Sequence, residues 1–202
     1  MDAPLDEAAV VELFRASGAL LEGHFRLTSG LHSPYYLQCA RLLMDPGRAE
    51  RVCRALKGKI EQATPPLAFD RIVSPALGGV VFGYELARQF GVVSMFVERD
   101  AAGRFTLRRG FALEPQDRVL IAEDVVTTGL STRECIACVR AEGAQVVGVA
   151  CLVDRSGGQA DLGVSLVPLV RLDLPVYPPD RVPPELAALP AVKPGSRPTG
   201  GI

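Results

Sequence analysis

The segment Val119-Leu120-Ile121-Ala122-Glu123-Asp124-Val125-Val126-Thr127-Thr128-Gly129-Leu130-Ser131 constrains this chain more than any other. An unbroken apolar run enters two adjacent carboxylates and then a Thr-Thr-Gly-x-Ser turn that opens a helical pattern. A run with no polar interruption reads as a strand buried on both faces, the habit of parallel sheets. The flanking sequence keeps the same rhythm. Strands are expected at 71–73, 92–97, 118–122 and 145–153, with helices at 79–90 and at 130–142, the second stopped by Gly143. Such alternation implies an α/β fold with a mostly parallel sheet covered on both sides.

Outside that region the pattern changes. Residues 5–22 place Val10, Val11, Phe14, Leu20 and Leu21 at helical spacing and are expected to form an amphipathic helix. From Gly23 to Leu43 the chain reads as short strands around a turn, with Ser-Gly and Ser-Pro punctuation. Pro46-Gly47 opens a further helix, about 47–63. Residues 98–110 form a polar, arginine-bearing excursion between two buried strands, too long for a minimal connection. From Leu174 onward 8 of 29 residues are proline, so this end is expected to run extended over the surface, with helix only at 186–189. No repeat or second core is visible, and residues 1–202 are expected to form a single domain.

Composition excludes several classes of function. With 48% hydrophobic and 22% charged residues the chain can build a sizeable core. Its net charge of −1 gives no sign of nucleic-acid or membrane-surface binding. There is no apolar run of bilayer length, and Met1-Asp2-Ala3-Pro4 has no signal-peptide character, so a cytoplasmic location is expected. Cys135 and Cys138 have metal-ligand spacing, but no second pair or nearby histidine completes a set. They are expected to pack as small hydrophobes on a helix. Only three residues are lysine, so nearly all positive charge is arginine.

Each part of the 119–131 segment has a chemical use. In an open α/β sheet the ligand crevice lies at the carboxyl ends of strands, where this turn falls. Amides at a helix N-terminus, with the hydroxyls of Thr127, Thr128 and Ser131, suit a phosphate. Carboxylates just ahead of such a cradle suit the vicinal hydroxyls of a ribose, or a metal on them. The plainer reading is a βα turn in which Ser131 caps the helix.

The segment resembles the signature of the type I phosphoribosyltransferases, which use 5-phosphoribosyl 1-diphosphate. Further segments resemble the orotate-specific members in order along the chain. Phe25-Arg26-Leu27-Thr28-Ser29-Gly30 with Ser33-Pro34-Tyr35-Tyr36 looks like their N-terminal signature over the base. Ser74-Pro75-Ala76-Leu77-Gly78-Gly79-Val80 looks like their pyrophosphate loop, Arg155 in Val153-Asp154-Arg155-Ser156-Gly157-Gly158 stands where an arginine meets the orotate carboxylate, and Lys193-Pro194-Gly195-Ser196-Arg197 looks like their C-terminal segment.

The resemblance implies a type I phosphoribosyltransferase fold, with a small hood formed by about 1–45 and part of 174–202. It implies transfer of the phosphoribosyl group to orotate, giving orotidine 5′-monophosphate and pyrophosphate in pyrimidine biosynthesis. Glu123, Asp124 and Arg99 would be catalytic. Arg99 and residues 123–131, including Val125, Val126, Gly129 and Leu130, would bind the ribosyl diphosphate, the acidic pair on the ribose hydroxyls and the turn on the 5′-phosphate; Ala76, Leu77, Gly78 and Gly79 would hold the pyrophosphate; and Thr127 and Arg155 the orotate. Mg²⁺ would be carried mainly by substrate, with no dedicated protein ligand set. The partners implied are the two substrates and a second copy in a homodimer, with Arg99 of the 98–110 loop acting across the interface and no role for nucleic acid or membrane.

The chain departs from the family pattern at three places. Lysines common in the family are replaced by Thr28 and Gly78, and the mobile loop offers Arg104, Arg108 and Arg109 instead of its usual lysines and histidine. Arginine holds pyrophosphate bidentately but cannot donate a proton as lysine can. The 119–131 motif alone leaves open a purine or uracil phosphoribosyltransferase, and a non-catalytic regulator that senses the ribosyl diphosphate.

Overall fold

Asp6 starts the first helix by accepting a hydrogen bond from the Ala9 amide at 2.8 Å, and α1 runs Glu7–Ala16 with Val10 and Phe14 buried. It ends six residues sooner than the sequence suggests. Gly18 takes φ 65, which turns the chain, and Leu20 and Leu21 enter a strand. That strand, β1 (Leu20–Arg26), pairs antiparallel with β2 (His32–Leu37), Leu20 opposite Leu37. The two leucines thus reach the core from a strand, which helical spacing alone does not reveal.

The computed structural model describes residues 5–27 and 29–194. The readings made for Met1–Pro4, Thr28 and Gly195-Ser196-Arg197 fall outside the described residues. Within them, the short α2 (Ala40–Leu43) precedes α3 (Pro46–Glu61), which Asp45 caps through the Arg48 amide at 3.0 Å. Ala49, Val52, Cys53, Leu56 and Ile60 form its buried face.

The sheet contains β3 (Arg71–Pro75), β4 (Val93–Arg99), β5 (Phe105–Leu107), β6 (Arg118–Val126), β7 (Gln145–Asp154) and β8 (Leu166–Arg171), in the order β5-β4-β3-β6-β7-β8. All neighbours are parallel except β5, which is antiparallel to β4. On one face α3 and α4 (Gly78–Phe90) pack over Ile72, Leu120, Ala122 and Leu152. On the other, α5 (Leu130–Ala141) packs over Val73, Val119, Ile121 and Val149. The α/β sheet expected from the alternation is therefore present, with a core on each side.

Several details differ from expectation. The strand expected at 92–97 is only half buried, because its neighbour β5 lies at the sheet edge. The 98–110 excursion is a hairpin: β4 runs to Arg99, Asp100 accepts the Ala102 and Arg104 amides, and β5 returns. The sequence also concealed β8, since Pro168 lies inside it. Proline is tolerated there because β8 is the other edge of the sheet.

The proline-rich end is tied to β2 before, and to β1 after, a 3-10 turn (Pro179–Arg181) and α6 (Pro184–Ala187). His32 and Tyr177 exchange both backbone hydrogen bonds at 2.8 Å, and the Val192 amide donates to His24 O at 2.8 Å. Cys135 and Cys138 are free thiols on α5, the first buried. No helix among the described residues is long and apolar enough to cross a membrane.

Candidate active site

Strand β3 has β4 on one side and β6 on the other, so the chain leaves β3 and β6 toward opposite faces and a crevice opens at their carboxyl ends. Two loops line it. After β3 the chain passes through a cis Ala76–Leu77 peptide, with Leu77 exposed, and begins α4 at Gly78. After β6, Thr127 and Thr128 lie exposed ahead of α5.

Close approach explains the glycines. A Cβ on Gly78 would lie 2.8 Å from Asp124 Oδ2, and one on Gly79 would lie 2.9 Å from Ala122 O. The pyrophosphate-loop candidate and the strand of the acidic pair therefore touch at Gly78 and Gly79. Gly129 has φ 73, and a Cβ there would meet Leu162 Cδ2 at 2.7 Å. Arg133 secures the same turn, its Nη1 donating to Thr128 O and Asp161 O, each at 3.0 Å.

The acidic pair divides. Glu123 is 6% exposed and turns toward α5, where its Oε2 accepts the Ser131 hydroxyl at 3.2 Å and the Thr132 hydroxyl at 3.1 Å. Burial, then the charge of Asp124, push its carboxyl up to about 8 against those two donors. Asp124 turns toward Gly78, and burial raises its pKa as well. Ser131 does not cap α5: Gly129 occupies the N-cap, and of the first-turn amides that of Leu130 donates to Thr128 Oγ1 at 3.4 Å, a helix start suited to an anion.

Arg155 follows β7, and its amide donates to Val126 O at 2.8 Å, which brings it beside the Thr127–Thr128 loop. Its Nε is buried without a hydrogen-bond partner, and desolvation lowers its pKa. Tyr36 on β2 also reaches this region; burial, then the charge of Asp124, raise its phenol. Val125 is half buried, Val126 is in the core and Leu130 is exposed on α5.

Three hairpin arginines, Arg99, Arg104 and Arg109, pair with acids of the same chain. Arg99 Nη2 donates to Glu134 Oε2 at 2.6 Å and its guanidinium lies 4.1 Å from the centre of the Phe105 ring. It also lowers the pKa of its own chain's Glu123. Arg104 donates from Nε and Nη2 to the one oxygen Oδ2 of Asp100, Arg109 pairs bidentately with Glu98, and Arg108 is exposed. The structure therefore gathers Ala76–Gly79, Asp124, Glu123, the 127–131 turn, Arg155 and Arg99, and holds Arg104 and Arg109 on the hairpin. Thr132 and Glu134 escaped the sequence reading because each meets another side chain, Glu123 and Arg99, that the fold rather than a motif brings to it.

The model of the phosphoribosyl transferase domain matches residues 41–163. The orotate phosphoribosyltransferase of Methylorubrum populi is 56% identical over 188 residues, 93% of this chain and 95% of that protein. That of Rhizorhabdus wittichii is 58% identical over 192 residues, 95% and 96% of the two chains. The crystal structure of orotate phosphoribosyltransferase from Aeropyrum pernix superposes with a TM-score of 0.67 at 27% identity, covering 81% of this chain and 93% of that one. An adenine phosphoribosyltransferase from Thermoanaerobacter pseudethanolicus, at 19% identity and a TM-score of 0.57, shares the fold. With a crevice at the β3/β6 switch point, glycines that let two loops meet, and relatives of this similarity over nearly its whole length, the chain belongs to the orotate phosphoribosyltransferase family.

Proposed function

We propose that this chain transfers the phosphoribosyl group of 5-phosphoribosyl 1-diphosphate to orotate. N1 of orotate joins ribose C1 as the bond to pyrophosphate breaks. The orphaned Nε of Arg155 carries the choice of base: a buried guanidinium edge with no partner is costly, and a substrate carboxylate would satisfy it. Purines and uracil bring no carboxylate.

The remaining groups suit the rest of the substrate. The first-turn amides of α5, with Thr127 and Thr128, would hold the 5′-phosphate. Asp124 would hold the ribose hydroxyls, and Glu123, clasped by Ser131 and Thr132, would fix the helix terminus behind them. The loop Ala76–Gly79 and Arg99 would receive the diphosphate. Glycosyl transfer proceeds through an oxocarbenium-like state, so fixed charge and positioning do the work and no covalent nucleophile is required.

The donor set also fits Mg²⁺ bound mainly through substrate oxygens. Asp124 stands at the crevice beside Gly78, where a carboxylate oxygen suits a hard cation. Bound with the diphosphate, Mg²⁺ would supply neutralisation of leaving-group charge, and Asp124 would hold it from the protein side.

A homodimer is part of the reading. Leu77, Val81 and Tyr84 project from the start and outer face of α4, with Met44 nearby, all more than half exposed. Such an apolar face beside the crevice suits a second copy. Arg99, held by Glu134 at the end of the β4–β5 hairpin, would act across the interface on the diphosphate of the neighbouring site.

A coupled assay of pyrophosphate release with orotate, uracil, adenine and xanthine tests the function. Turnover with orotate alone is expected. An inert orotate beside an active purine would reject the assignment.

A further inference from the structure

Three arginines of the β4–β5 hairpin pair with carboxylates, and one of those carboxylates stands apart. Glu98 and Asp100 belong to the hairpin itself, so their pairs with Arg109 and Arg104 only brace it. Glu134 belongs to α5, four residues past Leu130 at the start of that helix. The 2.6 Å contact from Arg99 to Glu134 therefore joins the hairpin to the element whose N-terminus faces the crevice.

Arg99 has two other restraints that do not depend on Glu134. Its Nη1 donates to Gly103 O, and its guanidinium stacks on Phe105. These hold the plane of the guanidinium, whereas Glu134 occupies one of its hydrogen-bonding edges with negative charge. That edge is the one a diphosphate would claim. Both side chains are about two-fifths exposed, at 44% and 40%, so the pair is weak and readily exchanged.

We propose that Glu134 is a positioning residue acting through Arg99: its carboxylate stands in for the diphosphate in the free protein and yields the guanidinium when the substrate enters. Glu134 thereby sets the affinity for 5-phosphoribosyl 1-diphosphate, and this rests on the reading of Arg99 as a diphosphate ligand. The exchange keeps Arg99 ordered beside the crevice without ligand, and it makes substrate binding compete with an internal anion.

The experiment compares Glu134→Gln, Arg99→Ala and the double variant by the KM for 5-phosphoribosyl 1-diphosphate, the inhibition constant of pyrophosphate and the KM for orotate. Glutamine keeps the size and the accepting oxygen but removes the charge. Release of an exposed ion pair is worth up to about fivefold, so Glu134→Gln should lower the first two constants about two- to fivefold and leave the KM for orotate unchanged. Arg99→Ala should raise them, and Glu134→Gln should then be silent in the Arg99→Ala background, which a merely structural role for Glu134 would not produce. If Arg99→Ala raises the constants while Glu134→Gln leaves them unchanged or raises them, the exchange is wrong and the reading of Arg99 stands. If Arg99→Ala leaves them unchanged, that reading fails and the exchange with it.

Discussion

Glu123 and Asp124 are neighbours in the chain and face opposite sides of β6, one toward the hydroxyls of Ser131 and Thr132 and the other toward Gly78. Strand alternation gives them different surroundings and different work. Asp124→Asn should cut turnover at least tenfold with the fold retained, because an amide cannot accept from the ribose diol or meet a cation as a carboxylate does. Steady-state kinetics at saturating substrate, with circular dichroism as the folding control, measure this. A near-wild-type rate would remove Asp124 from the ribose site.

Glu123 has a consequence for stability. Its folded pKa of about 8 lies above the ordinary carboxyl value of 4.5, so between those values the native state holds a proton that the unfolded chain has released. Stability from this group is therefore present below about 4.5 and declines as pH rises toward 8. Glu123→Gln should remove that decline, a difference on the order of a few kcal/mol across the window. Thermal melts at pH 5 and pH 8 without substrate or metal should show the variant gaining on wild type only at the higher pH. Parallel curves at both values would contradict the buried, proton-holding carboxyl. Turnover of the same variant should fall above about pH 8, where the wild-type carboxyl is charged beside the ribose site and the amide is not.

Arg155→Ala should raise the KM for orotate by about ten- to a hundredfold, the worth of one partly desolvated charged hydrogen bond. The KM for 5-phosphoribosyl 1-diphosphate should change far less. Equal effects on both substrates would take Arg155 out of base recognition.

Gly129→Ala places a side chain at φ 73 and against Leu162, and strain of this kind costs roughly 1–3 kcal/mol. A melting temperature lower by several degrees, with weaker binding of the ribosyl diphosphate, is expected. An unchanged melting temperature would mean that the turn relaxes freely, contrary to its bracing by Arg133.

Mixing inactive Arg99→Ala and Asp124→Asn proteins separates action within a chain from action across a dimer. With Arg99 acting across the interface, a mixed dimer has one site with both lesions and one with neither, so activity should return, up to about a quarter of wild type after random subunit exchange. No recovery once subunit exchange is confirmed would place Arg99 in the site of its own chain. Val81→Glu, which puts a charge on the apolar face of α4, should shift sedimentation from dimer to monomer.

The parallel strands, the helices after them and the crevice turn could be read from the chain, because a buried strand and its following helix are local patterns of hydrophobicity and turn chemistry. Val119–Ile121 and Thr127–Ser131 carry their meaning in order of residues alone. What happened at Leu20 and Leu21 could not be read so, since their spacing suits a helix and only pairing with Leu37 and Tyr36 makes them a strand. Strand β8 escaped for a similar reason: Pro168 argues against a strand until the sheet shows that this one lies at an edge. The tertiary structure alone also decided that Glu123 and Asp124 part company, that Gly78 yields room to Asp124, and that Arg99 meets Glu134 35 residues later. Sequence specifies which groups are available at each strand end. The direction in which each side chain points, and the partner it finds there, follows from sheet order and helix packing, which join residues far apart in the chain.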